Sequence, residues 1–210
     1  MKFLYAGFVS DAEQYSGILK KVAGQTKGVA ALGWEAHYTY VTDCGVALDT
    51  GSGLHTEAIG NGLRWREHQK AVTNAICFFL KQEAYDAVYI KGFLATPYAL
   101  QIAKYAKKVN PSCRVIYEIA TYPYWGEYRR FLRVDLKRKD VRSLAGHVLE
   151  ILQHAVSAPR FRSCVDALVV FGSPVGRLWG VPAVTVGNGV SVSDIALRSY
   201  SPVSYTHLRA

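Results

Sequence analysis

Cysteine is sparse in this chain and badly spaced for cross-linking or metal binding. Cys44, Cys77, Cys113 and Cys164 lie more than 30 residues apart, with no C-x-x-C pair and no Cys/His ligand spacing, which gives no basis for a zinc site or a redox couple. Cys77 sits in an apolar run and reads as core. No uninterrupted apolar run approaches the ~20 residues needed to cross a bilayer. Met1-Lys2-Phe3 passes directly into Leu4-Tyr5-Ala6-Gly7-Phe8-Val9, too short for the apolar segment and cleavage site of a signal peptide, so a reducing, cytoplasmic location is the default expectation. The six histidines are scattered, with neither a Ser/His/Asp set nor a His-x-x-x-His pair. The G-x-G-x-x-G of dinucleotide folds and the Gly-Lys-Ser/Thr of phosphate-loop enzymes are also missing. No metal and no covalently bound cofactor are expected.

What is present is a chain that is half hydrophobic and strongly basic. Its 210 residues can bury one substantial α/β core. Lys and Arg outnumber Asp and Glu by 25 to 16, a net charge of +9, which favours phosphates, membrane surfaces or nucleic acid without choosing among them.

Strand and helix patterns alternate along the chain. After the first strand comes a polar loop at 10–16, then a helix over 17–33 on which Ile18, Val22, Val29 and Leu32 recur at near-helical spacing. Ser16 is its expected N-cap and Gly33 its C-terminal glycine. Alternation over 35–42 and an extended segment at 46–59, broken by Thr50-Gly51-Ser52-Gly53, predict strands or a hairpin. Residues 65–83 carry Val72, Ile76 and Phe79 or Leu80 on one helical face, and 85–92 reads as a short buried strand. Pro97 opens another helix, with Leu100, Ala103 and Val109 inward and Lys104, Lys107 and Lys108 outward. Residues 128–155 are helical in character and basic; the stripe of Phe131, Val134, Val141, Leu144, Val148 and Ile151 is expected to cover the sheet, and Pro159 to interrupt the region. Its arginines and lysines form either a solvated face or a surface for anionic lipid. Strands at 165–171 and 181–186 complete the pattern, which predicts an α/β fold: a Rossmann-like, mainly parallel sheet with helices on both faces.

The stretch at 114–127 is the centre of this pattern. Val115-Ile116-Tyr117-Glu118-Ile119 is a β-branched and aromatic run after the helix-stopping Asn110-Pro111-Ser112, and predicts a strand buried on both faces. Ligands of open parallel sheets sit beyond the carboxyl ends of the strands, where Thr121, Tyr122, Tyr124, Trp125 and Glu127 fall. Rings and a carboxylate there suit a polyhydroxylated ligand; the alternative is a turn shaped by Pro123 and Gly126, with the rings capping the sheet edge.

Four places carry a resemblance. They are Ser16-Gly17-Ile18 with Lys20-Lys21 and Gln25 after strand one, Tyr85-Asp86-Ala87-Val88-Tyr89-Ile90-Lys91, Tyr117-Glu118-Ile119-Ala120-Thr121-Tyr122-Pro123-Tyr124 with Glu127, and Thr185-Val186-Gly187-Asn188-Gly189-Val190. In order and spacing, over roughly 190 residues, the chain resembles the amino-terminal half of a family 4 glycosyltransferase, a GT-B architecture of two Rossmann-like domains. The resemblance implies an acceptor-side domain at 1–190, the start of an interdomain crossing at 191–198 and a tail at 199–210 foreign to the family. It also implies a hexosyl transfer from a nucleotide-sugar donor to a glycan or lipid-linked acceptor in polysaccharide or cell-envelope assembly, with peripheral attachment to a membrane. Ala120 stands where the family has proline, and the donor-binding domain with its Glu-x7-Glu motif does not follow, so this chain alone is expected to be inactive.

In the GT-B scheme the strand-end loops of the first domain face the interdomain cleft, which places Ser16, Gly17, Lys21, Lys91, Tyr122 and Tyr124 as substrate-binding candidates. Gly17 would admit donor phosphate and Lys21 and Lys91 would balance its charge. Glu118 and Glu127, the carboxylates near the central loop, are the catalytic candidates, either as acceptor base or as hydrogen-bond partner. The rival from another class is a stand-alone, non-catalytic α/β domain that binds a nucleotide or a partner protein. A nucleic-acid-binding role is the weaker rival, because no RNA-recognition or zinc-finger signature accompanies the basic helix.

Overall fold

The structure, a computed structural model, describes residues 1–60 and 62–187; the expectations for Asn188-Gly189-Val190, the crossing at 191–198 and the tail at 199–210 lie outside the described residues. Among the described residues, nine strands form one mixed, mostly parallel sheet of Rossmann-like type. In chain order the elements are β1 (Lys2–Ala6), α1 (Ser16–Ala31), β2 (Glu35–Thr42), β3 (Gly45–Asp49), β4 (Leu54–Ala58), α2 (Trp65–Gln82), β5 (Ala87–Gly92), α3 (Pro97–Val109), β6 (Arg114–Tyr122), α4 (Trp125–Arg138), α5 (Val141–Phe161), β7 (Ala167–Gly172), β8 (Arg177–Leu178) and β9 (Val181–Val186). The strand order is β4-β3-β2-β1-β5-β6-β7-β9-β8. β2, β1, β5, β6, β7 and β9 run parallel, while β3, β4 and β8 are added at the two sides through antiparallel pairing.

Side-chain alternation divides the core between the two faces of this sheet. On one face, Val22 of α1 packs with Phe3, Tyr5 and Ala87. On the other, Leu4, Val88, Ile90, Val115, Tyr117, Leu168 and Val170 meet α2, α3 and the C-terminal half of α5. Helices on both faces leave the carboxyl ends of the parallel strands as one open edge. The chain moves outward in opposite directions from β1, to β2 on one side and β5 on the other, so the switch point of the topology lies between β1 and β5.

Four local expectations are corrected. Ser16 is the first residue of α1 rather than its cap; Tyr15 precedes it, without a side-chain capping bond, after a short 3₁₀ turn at Glu13–Tyr15. β6 runs three residues past Ile119, so Thr121 and Tyr122 belong to the strand and not to the loop. The basic region is two helices, because Lys139 adopts φ 56° and the Asp140 carboxylate then caps α5 by accepting the Ser143 N–H at 3.0 Å. Pro159 does not interrupt α5, which continues to Phe161; so near a C-terminus proline removes a single bond, and Ala155, whose carbonyl loses its donor, lies on the exposed side.

Most of the predicted stripe does not cover the sheet; of its residues Ile151 packs against the core. Val141 and Val148 are 75% and 43% exposed, and Phe131 and Val134 are also solvent-facing. The inward faces of α4 and α5 are built instead from Tyr128, Asp135, His154, Ser157, Ala158 and Phe161, several of them polar and satisfied by partners on neighbouring elements.

Candidate functional site

Because β1, β5 and β6 are parallel neighbours, the residues that follow them gather at one edge of the sheet. The strongest electrostatic feature there is Glu118. It is completely buried on β6, and its carboxylate accepts hydrogen bonds from the hydroxyls of Tyr5 on β1 at 3.2 Å and Tyr89 on β5 at 2.9 Å. Two ammonium groups lie beside it: Lys21 of α1 at 3.4 Å and Lys91 of β5 at 3.8 Å. A buried carboxylate needs such partners, since unpaired it would carry a large desolvation cost. Burial, and next to it the negative charge of Glu118, holds the Tyr5 and Tyr89 hydroxyls above the ordinary tyrosine range, so both stay protonated donors.

The two lysines differ. Lys21 lies over the Phe171 ring at 4.2 Å, a cation–π contact that fixes its stem. Burial holds the Lys91 ammonium below the usual lysine range; Glu118 opposes that effect and the like charge of Lys21 adds to it. One carboxylate faces two ammoniums, so the cluster retains a net positive charge next to the open edge.

Beside Lys91, at the switch point, is a cleft of about 330 Å³. Phe8, Trp65, Phe93 and Tyr128 supply its aromatic surface, and Gln69, Glu150, Gln153 and Thr96 its polar groups. The Phe93 and Tyr128 rings stack, with centroids 5.7 Å apart, and the Tyr128 hydroxyl donates to Glu150 at 2.7 Å. Trp65, just over half exposed, is braced edge-on by Tyr98. Gly92 forms part of the floor for a steric reason: a Cβ there would collide with the Tyr117 hydroxyl, which donates to the Leu94 carbonyl at 2.7 Å and so ties down the loop after β5.

The remaining candidates are placed variously. Lys21, Lys91 and Glu118 come together as described. Tyr122 ends β6 beside Gly172, whose φ of 115° and near contact with the Tyr122 carbonyl exclude a side chain; the Tyr122–Pro123 peptide is cis. Tyr124 points into the core. Its hydroxyl accepts from the Trp179 indole N–H at 3.2 Å and lies 3.1 Å from His154 Nε2. His154 Nδ1 accepts the Ala95 N–H at 3.1 Å, so Nε2 carries the proton and donates to Tyr124. Tyr124, His154, Trp179, Phe161 and Tyr117 make one aromatic cluster beneath the edge. Ser16, Gly17 and Glu127 are exposed; Gly17 has open space where a Cβ would stand, and Glu127 makes no ion pair among the described residues.

Trp65, Gln69, Phe93, Glu150 and Gln153 were not visible as site residues in the sequence, because α2, α5 and the loop after β5 converge only through the sheet topology. The usable signal was Trp65, a bulky ring opening an otherwise amphipathic helix. At the opposite edge of the sheet, Glu35, His37 and Glu83 offer ligand atoms within 4.8 Å of one another, but the Lys2 ammonium bridges both glutamates and His37 Nδ1 pairs with the Tyr85 hydroxyl at 2.9 Å, so the charge of that group is met from within the chain. Among the described residues no helix is long and apolar enough to cross a membrane. No protein-family model, no curated protein sequence and no solved structure matches the chain.

Proposed function

We propose that the chain is the acceptor-side half of a GT-B glycosyltransferase, which moves a sugar from a nucleotide donor to a glycan or lipid-linked acceptor. The observation that carries this reading is the switch-point cleft, in which aromatic faces alternate with amide and carboxylate groups. A pyranose presents C–H faces and a rim of hydroxyls. Trp65 and Phe93 match the faces, while Gln69, Glu150 and Gln153 match hydroxyls that both donate and accept. On the rim, Lys91 with Lys21 offers positive charge to a phosphate-bearing group. Glu118, buried under four donors, holds the two lysines in place rather than meeting the acceptor; Glu150, in the cleft wall, is the carboxylate closer to a bound hydroxyl.

The test is a titration of the protein with free hexoses, with nucleoside diphosphates and with nucleotide sugars, followed by amide NMR shifts. Hexoses perturb the amides of residues 65–69, 92–96 and 150–153, and Trp65→Ala abolishes the effect. Transfer itself is assayed with the product of the longest reading frame that contains this sequence. Nucleoside diphosphates that bind in the cleft while hexoses do not would instead favour a stand-alone nucleotide-binding domain, and no response to either class would remove the reading.

A further inference from the structure

β4 is a strand that buries almost nothing. Leu54, His55, Thr56 and Ala58 are exposed and Glu57 is half-buried, so the strand adds little to either face of the core. It is nevertheless held firmly in place. At the turn before it, the Thr50 N–H donates to the Gly53 carbonyl at 3.0 Å, the Thr50 hydroxyl accepts the Gly53 N–H at 3.0 Å, and the Asp49 carboxylate accepts the Gly51 N–H at 2.7 Å. At the far end β3 and β4 close up at Gly45, where a Cβ would strike the Glu57 carbonyl. Among the described residues nothing pairs with the outer edge of β4, so every second residue turns its N–H and C=O groups outward as a template for another strand. The usual guards of such an edge are missing. No Lys, Arg or Pro occurs from 28 to 63, and the register with β3 is regular, without a bulge. The opposite edge of the sheet, by contrast, is blunted by β8, which is only two residues long.

The side chains of β4 select a second copy of this chain. When a strand pairs antiparallel with itself about a two-fold axis, residues of equal parity must meet, because only alternate residues turn their backbone groups outward. The axis therefore passes through a residue. Placed at Thr56, it sets His55 against Glu57 twice, Leu54 against Ala58 twice and Thr56 against itself, with an opposite-charge or hydrogen-bonded pair at each polar position. One step either way loses this match. An axis at His55 brings two imidazoles together and leaves Glu57 opposite Gly53, and an axis at Glu57 sets two carboxylates face to face. The edge is complementary to itself, in charge, in one register.

We propose that β4 is a homodimerisation edge, pairing with β4 of a second copy about an axis at Thr56, so that the two nine-stranded sheets run on as one. The ladder is five residues long on each side, well below a standard interface, and the dimer is accordingly weak and reversible. The edge lies three strands out from β1, away from the switch-point cleft, so the pairing does not rest on the sugar-binding reading, and its experiment contains no sugar.

The experiment is sedimentation velocity of the 210-residue chain from micromolar to near-millimolar concentration, with amide NMR spectra over the same dilution. The wild type passes reversibly from monomer to dimer, and dilution shifts the amide signals of residues 54–58. His55→Glu sets two carboxylate pairs across the axis and Glu57→Lys removes both attractions; each raises the dimer Kd by about five- to thirtyfold. An equimolar mixture of the two variants recovers the dimer, because each chain then offers the charge that the other lacks. Both positions lie off the core, and an unchanged melting transition shows that the fold is intact. The proposal is overturned if the wild type stays monomeric throughout, if either variant associates like the wild type, or if the mixture associates no more than its separate parts. It is equally overturned if the dilution shifts fall on another element, such as the exposed side of α5, because the dimer then uses a different seam.

Discussion

Glu118 was legible in the sequence as the one charge inside the central strand at 115–119, but its partners were not, because Tyr5, Lys21 and Tyr89 lie between 29 and 113 residues away. A charge surrounded by four donors from three elements makes the site sensitive to its removal. Glu118→Gln keeps the volume, leaves Lys21 and Lys91 facing each other without a counter-charge, and is expected to cost about 3 kcal/mol, a fall in Tm of about 6–12 °C for a domain of this size. Adding Lys91→Met removes the repulsion and recovers part of the loss; strictly additive losses in the double variant would show that the charges are not coupled. His154 gives a pH dependence of definite sign. Burial holds its imidazole below the ordinary histidine range, so the unfolded chain binds the proton more readily than the folded one. The stability contributed by the neutral ring is complete above the unfolded pKa of about 6.5 and is lost as pH falls below it, by up to about 1.4 kcal/mol per pH unit. Thermal melts between pH 7.5 and 5 should show that slope, and His154→Gln should flatten it. Tyr124, expected in the cleft, is instead the acceptor of this histidine: one aromatic ring beside a proline loop reads alike whether it points out or in, and His154 and Trp179, which decide the matter, are 30 and 55 residues away.

At the scale of elements, the strands and helices were largely readable, and for local reasons. β2 and β9 match the predicted spans because alternation and flanking turns bound them on both sides, and α3 begins at Pro97 because Thr96 accepts the Ala99 N–H at its start. The break between α4 and α5 was not readable, since Lys139-Asp140 contains neither glycine nor proline. Two substitutions there test whether the break is held by local conformation. Lys139 occupies the left-handed region that a β-carbon disfavours by roughly 1–2 kcal/mol, so Lys139→Gly should raise stability by up to about 1 kcal/mol after its added chain entropy is counted. Asp140→Ala removes the α5 cap and should cost about 1 kcal/mol. Urea midpoints that move in the same direction for both variants would contradict this account. The exposed stripe on α5 shows why an apolar pattern can mislead: periodicity identified an amphipathic helix correctly, but the side that packs inward is set by Phe161 against Tyr117 and Trp179 and by His154, whose ring nitrogens find partners only in the folded chain.

For the whole molecule, the class of fold followed from the alternation of strand and helix, whereas the cleft required knowing that β1 lies between β2 and β5. That central position has a consequence for how the chain is made. β1 is made before both of its neighbours in the sheet, β2 about 33 residues and β5 about 84 residues further along. At a synthesis rate of 5–20 residues per second, Leu4 and Tyr5 wait on the order of ten seconds for the strand that buries them. Everything needed to close the Glu118 cluster except Glu118 itself is present once β5 has emerged, and without that carboxylate Lys21 and Lys91 have no counter-charge between them. Nascent chains arrested at about residue 110 should therefore remain sensitive to protease, and chains arrested beyond β6, with enough added length to clear the exit tunnel, should become resistant. Protection that appears already with β2 would show that the β1–β4 half folds on its own. If resistance waits for β6, the order in which the sheet is assembled is set by the same carboxylate that holds the two lysines at its edge.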